Sequence, residues 1–245
     1  MIVSPHAFAQ VAREMLGLPS GDKQYSPLRE KREFCAAFGA GFQTIADVWQ
    51  RLEPKNKIST RAEPKHLLWT LIYFKVNTTE SLMIKLAKCN SCDIFQNWVT
   101  KFTIAICGLE MEVIVWENRF KDWNPKQAAL VTVDGTDVWI HKPLPRSRIW
   151  WSHKFNHAAL RYEICQCIQT GDIVSISGPY PANMSDREIF DMGLSLRLMP
   201  GELVEADNGY SGRVQIQTPG QAISRLWKRQ KSKARGHQEK MLIDA

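Results

Sequence analysis

Asp134 stands in an apolar, strand-like run, Leu130-Val-Thr-Val-Asp134-Gly-Thr-Asp137-Val-Trp-Ile140. Asp207 closes a second such run, Leu203-Val-Glu-Ala-Asp207-Asn-Gly-Tyr210, and Glu239 follows on a predicted helix near the C-terminus. Acids at the ends of β-branched strands are poor core residues, because burying an unpaired charge is expensive. They are good ligands for divalent cations, which need hard oxygen donors and offset the repulsion among gathered carboxylates. Two Mg²⁺ (or Mn²⁺) ions held by such acids can activate a water or a 3′-hydroxyl and stabilise a leaving oxygen. The pattern therefore predicts metal-assisted phosphoryl chemistry on nucleic acid.

The elements that must position these acids fall into two regions. Helical pieces are expected over Pro5–Leu16, Glu30–Phe38 and Gln43–Leu52. Pro64 suits a first helical residue, and Leu67, Leu68, Leu71, Ile72 and Val76 continue a helical stripe. Thr79 opens a short helix. After the Cys89–Cys92 turn, an apolar stripe from Phe95 through Trp98, Phe102, Leu109 and Trp116 to Phe120 predicts one long helix. The short-helix, turn, long-helix order is that of a helix-turn-helix, which would offer Gln96, Asn97, Thr100 and Lys101 to DNA. A plain helical bundle with a solvated polar face explains the same pattern.

From residue 130 the period changes. Leu130–Ile140 and His157–Ile168 read as strands, the latter with Leu160, Tyr162, Ile164 and Ile168 on one face. Thr170-Gly-Asp172 turns into a third strand, Ile173–Ser177, ended by Gly178-Pro-Tyr-Pro181. Ser185-Asp-Arg-Glu188 is a capping box opening a helix to about Leu198. Leu203–Ala206 is the fourth strand, and a basic helix is expected over about 222–241.

The 245 residues carry a net charge of +7 and 44% hydrophobic residues, which describes a soluble globular chain with a polyanionic partner in reach. No basic, apolar leader opens the chain, and no window is long and apolar enough for a bilayer, so a soluble intracellular protein without membrane association is expected. The six cysteines read as reduced thiols. Cys89-Asn-Ser-Cys92 lacks the partners that a structural zinc site needs. His141, His153 and His157 have no supporting ligand helix. No Gly-rich phosphate loop or nucleophile elbow is present.

Two basic segments could grip DNA. His141-Lys-Pro-Leu-Pro-Arg146-Ser-Arg148-Ile-Trp-Trp-Ser-His-Lys154 interleaves cations with two tryptophans, suited to phosphate contacts from Lys142, Arg146, Arg148 and Lys154 and to stacking on indole. A solvated loop with one tryptophan against the sheet is the plainer reading. Lys228, Arg229, Lys231, Lys233 and Arg235 form the second segment, a phosphate-binding face or a solvated charge run.

Three antiparallel strands, a helix, a fourth strand and a final helix is the order of a ribonuclease-H-like fold. There the first and fourth strands are neighbours, and the last helix packs across them. The predicted class is thus α+β: a helical, helix-turn-helix-like region over 1–120, then a ribonuclease-H-like mixed-sheet catalytic domain over 127–245.

Val133-Asp-Gly-Thr-Asp137, Trp151-Ser-His-Lys-Phe155, Leu160-Arg-Tyr-Glu-Ile164, Gly178-Pro-Tyr-Pro181 and Glu205-Ala-Asp-Asn-Gly-Tyr210, in this order, resemble DDE-superfamily transposases. The likeness is to the Harbinger-like group of protist and algal genomes and covers about residues 64–240. It implies a nuclear enzyme that cuts transposon ends and joins them to target DNA with Mg²⁺, with a homodimer left open. Carried over by position, Asp134 is the first catalytic aspartate and Glu239 the glutamate. Asp207, at a strand end, is preferred as the second aspartate. Asp186 also matches the family pattern, but the helix macrodipole explains a carboxylate in the first helical turn. Asp137 projects from the other strand face. Gly236 weakens the last helix by about 1 kcal/mol relative to alanine, and only Met241–Ala245 follow it closely. A C-terminally truncated copy with reduced or lost cleavage, a DNA-binding protein without catalysis, is therefore the competing expectation.

Overall fold

The computed structural model describes residues 3–18, 26–53, 58–76, 78–123 and 128–218. The chain divides into two compact units, meeting in sequence at Met111 and Glu112.

The first unit is helical. Its elements are α1 (Pro5–Leu16), α2 (Pro27–Phe38), α3 (Phe42–Leu52), α4 (Pro64–Val76), α5 (Glu80–Leu86), α6 (Cys92–Cys107) and α7 (Glu110–Val113). Local chemistry sets several boundaries. Ser4, Ser26 and Ser91 each accept a backbone N–H of the following first turn, and α1 and α2 begin with proline. Gly17 and Gly39 end the first two helices in the left-handed conformation. Phe8, Trp49, Leu67, Leu68 and Phe102 form the buried centre, with the Trp49 and Phe102 rings stacked 5.8 Å apart. His66 lies flat on Trp98 at 4.0 Å, and burial lowers its pKa to about 4, so it packs as a neutral ring.

The long helix expected from Phe95 to Phe120 is interrupted. α6 stops at Cys107, before Gly108, and Val115 is extended. Val113-Ile-Val115 is β-branched throughout and loses rotamer freedom in a helix, so the stripe continues while the helix does not. Trp116–Phe120 form a 3₁₀ turn instead, and Trp116 packs on the core of the second unit.

That unit is built on a six-stranded mixed sheet. Its strands are β1 (Ala129–Trp139), β2 (Trp151–Ser152), β3 (His157–Cys167), β4 (Ile173–Pro181), β5 (Leu203–Glu205) and β6 (Ile216–Gln217), with α8 (Asp186–Met192) between β4 and β5. The order is β2-β3-β1-β5-β6, with β4 also on β3. β1 and β3 are antiparallel, with Asp134 opposite Ile164 and Gly135 opposite Glu163. β5 runs parallel to β1, Thr132 opposite Glu205. A mixed α+β chain with its helices first and this sheet second is consistent with a ribonuclease-H-like domain; a helix-turn-helix does not follow from these observations.

One face of the sheet is packed and the other is half-buried. Val131, Val133, Cys165 and Cys167 meet Phe190, Leu194 and Tyr210 in the core, whereas Leu160, Tyr162 and Ile164 on the other face of β3 are half-buried. β4 also runs on through Gly178-Pro-Tyr-Pro181, and the helix at Asp186 gives way to a 3₁₀ turn over Leu194–Arg197. A buried ion pair braces this unit. Arg119 Nε lies 2.8 Å from Glu202 Oε1, and the guanidinium sits 4.0 Å from the ring centroids of both Trp116 and Phe120.

Candidate active site

The parallel pairing of β1 and β5 brings two of the expected acids level. Asp134 on β1 and Asp207 just past the end of β5 each stand two residues beyond the rung Thr132–Glu205. Both are half-buried. Asp134 Oδ1 accepts the Gly135 N–H at 2.9 Å, and Asp207 Oδ1 accepts the Gly209 N–H at 2.8 Å, which fixes each carboxylate against its own backbone.

Asp186 approaches Asp207 from the first turn of α8, where the Ser185–Glu188 capping box holds the helix start. A Cβ on Gly209 would lie 2.7 Å from Asp186 Oδ2 and 2.9 Å from Asp207 Oδ1. The two carboxylates therefore reach the same point from opposite sides. A Cβ on Gly135 would lie only 2.5 Å from Asp186 Oδ1. Both glycines are needed for close approach, and Asp186 is far more than an exposed complement to a helix dipole. Burial raises its pKa; Arg161 opposes the rise, and the charges of Asp207 and Asp137 add to it.

Arg161 organises the flank. It binds Asp137 through Nε at 2.7 Å and Nη2 at 3.1 Å, donates to the Met184 carbonyl at 2.6 Å, and lies 3.6 Å from Asp186 Oδ1. Asp137 is buried and also accepts a bond from Ser152. Burial alone would push the Asp137 carboxyl up, but Arg161 and Ser152 outweigh it and hold the pKa below the usual range. Asp137 is thus the arginine's anchor, and its face relative to Asp134 was legible from the strand period.

One acid escaped the sequence reading. Glu163, opposite Gly135, is 3% exposed, and burial pushes its pKa up to about 7, with the Asp186 charge adding to the shift. The Tyr210 hydroxyl offsets part of this, yet neither Glu163 Oε2 nor the Tyr210 oxygen has a partner at hydrogen-bond geometry. Tyr210 is fully buried, its pKa raised by burial and then by the charges of Glu163, Asp186, Asp134 and Asp207. The charges of all four acids thus bear on one phenol.

The other expected residues are spread more widely. Lys142, Arg146, Arg148 and Lys154 are exposed on the segment between β1 and β3, and the Lys154 charge is felt by Asp137 and Asp186. Gln96, Asn97 and Lys101 are exposed on α6 in the first unit, where Gln96 bonds Glu80 and Lys101 lies 5.0 Å over Trp98. Glu239, Lys228, Arg229, Lys231, Lys233 and Arg235 lie outside the described residues, as does the helix expected over 222–241.

Among the described residues, no three His, Cys, Asp or Glu side chains form a ready-made metal cage, and no described helix is long and apolar enough to cross a membrane. The donor chemistry nevertheless suits a hard divalent cation: Asp186, its pKa raised by burial and further by Asp207, lies close to Asp207, and two orphaned buried oxygens, on Glu163 and Tyr210, lie in the same unit. Magnesium sites commonly use one or two carboxylates and leave the remaining positions to water and phosphate. No curated protein and no solved structure matches this chain. Residues 133–243, beginning one residue before Asp134, match the family model described as DDE superfamily endonuclease, which supports a DDE transposase family for this part of the chain.

Proposed function

We propose that the chain is a DDE transposase-derived nuclease of the Harbinger-like group, which cuts and joins DNA strands with Mg²⁺ in the nucleus. The observation that carries this reading is the close approach of Asp186 to Asp207 just past the end of β5, the strand that pairs with β1 and its Asp134, in a region that matches DDE superfamily endonucleases. Asp134 and Asp207 would hold the metal, with Asp186 as a further ligand and Glu239 as the family's glutamate. When bound, the metal lowers the pKa of the attacking water or 3′-hydroxyl and stabilises the leaving oxygen. Arg161 holds Asp186 in place through Asp137. Glu163, with a pKa near 7, keeps a proton over much of the neutral range and limits the negative charge packed around Tyr210. Lys142, Arg146, Arg148 and Lys154 supply cations for the DNA backbone beside this site.

The test is nicking of supercoiled DNA, and strand transfer from a pre-cut end, in Mg²⁺ or Mn²⁺. Asp134→Ala and Asp207→Ala are each expected to lower the rate by at least a hundredfold while leaving the melting curve folded and cooperative. Equal cleavage by wild type and Asp134→Ala would overturn the assignment. DNA binding without cleavage in either metal would establish the non-catalytic DNA-binding protein in its place.

A further inference from the structure

A cavity of about 760 Å³ is formed by the segment that connects β1 to β3 together with Ala158 at the start of β3. Lys142, Arg146 and Arg148 line it together with Trp150, Trp151 and Ala158. Trp151 faces Ala158 across the β2–β3 pair, so its indole meets a methyl group there and the space beyond stays open. Trp151 is 37% exposed although it sits on a strand, and the three cations are all exposed. The volume falls within the roughly 300–1,000 Å³ of pockets that take a small organic ligand. It is far too small for a duplex.

The walls are fixed rather than loose. Ser152 bonds Asp137 and accepts the Phe155 N–H at 3.3 Å, and the Ile149 carbonyl accepts the Asn183 N–H at 3.0 Å. Through Asp137 and Arg161, this wall is joined by consecutive polar contacts to Asp186.

We propose that this cavity receives one unpaired nucleotide of a DNA strand. The base lies against the indoles of Trp150 and Trp151, and its phosphates lie on Lys142, Arg146 and Arg148. The pairing of chemistries selects that ligand: aromatic faces stack any base, and a guanidinium fork binds phosphate. A nucleotide withdrawn from its helix loses stacking, and an aromatic pocket restores it. The inference rests on DNA being the substrate and names the part of the strand that this segment holds.

Binding measured in EDTA separates this question from cleavage. Fluorescence anisotropy of the full chain with a duplex carrying one bulged nucleotide is compared with the same duplex carrying an abasic bulge. The base-bearing duplex is expected to bind about 5- to 100-fold tighter, the range for stacking one base on an aromatic side chain. A bulged 2-aminopurine is expected to be quenched on binding. Trp150→Ala and Trp151→Ala should abolish both effects, and Trp151→Phe should restore most of them. Equal affinity for the two bulges, or quenching unchanged in both alanine variants, would overturn the proposal. Deoxyadenosine monophosphate binding as tightly as the bulged duplex would also overturn it, by showing a site for free nucleotides. A bulge preference without metal-dependent cleavage would remove the nuclease reading alone, and cleavage without the preference would remove the pocket alone.

Discussion

Glu163 lies on the inner face of β3 among carboxylates, with a folded pKa of about 7 against an ordinary value of 4.5. The folded chain holds a proton there that the unfolded chain releases, so stability falls as pH rises through that interval. The limit of the effect is about 3 kcal/mol, from the free energy per pKa unit. Glu163→Gln is expected to flatten this slope between pH 4.5 and 7 and to raise Tm at pH 8 in metal-free buffer. An unchanged slope in thermal melts would show that Glu163 is not held as a neutral acid. Asp137 behaves oppositely. Its lowered pKa contributes stability above pH 3.8, lost as pH falls through the lower folded value. Asp137→Asn is expected to destabilise toward the lower end of the roughly 3–5 kcal/mol cost of breaking a buried ion pair, because Arg161 keeps Asp186 nearby. Denaturant unfolding at neutral pH measures this directly.

At the scale of elements, the junction of β1, β5 and α8 is set by two glycines. Gly135→Ala would place a methyl 2.5 Å from Asp186 Oδ1 and is expected to cost about 1–3 kcal/mol, with loss of Mg²⁺-dependent cleavage. A variant that cleaves normally would show that Asp186 need not stay where it is. The adjacency of β1 and β5 was legible from element order alone, because that order admits few sheet arrangements. The cap at Ser185 was equally readable, since a side-chain oxygen serving orphan N–H groups leaves a local signature. Glu163 was not. Apolar alternation in β3 marked the face of Leu160, Tyr162 and Ile164, whereas Glu163 falls on the other face, where its burial opposite Gly135 follows from packing rather than from period. Two-residue strands such as β2 and β6 carry no period to read. The stripe from Phe95 to Phe120 misled for a related reason: apolar spacing survives a helix end, and here its last members serve another core.

For the molecule as a whole, the first unit has its own buried centre around Phe8, Trp49, Leu67 and Phe102. A fragment of residues 1–111 is therefore expected to unfold cooperatively when followed by far-UV circular dichroism. A gradual, baseline-like melt would show that its helices need the rest of the chain. The second unit closes on itself differently. β1 and β3 meet across the connecting segment 140–156, but β1 must wait for Leu203–Glu205 to gain its parallel partner. During synthesis, a nascent chain with residues through Pro181 exposed has its antiparallel ribbon and carries Asp134 with neither Asp186 nor Asp207 available. The neighbourhood of these three acids is thus completed late in translation, and incomplete polypeptides of this kind emerge without it.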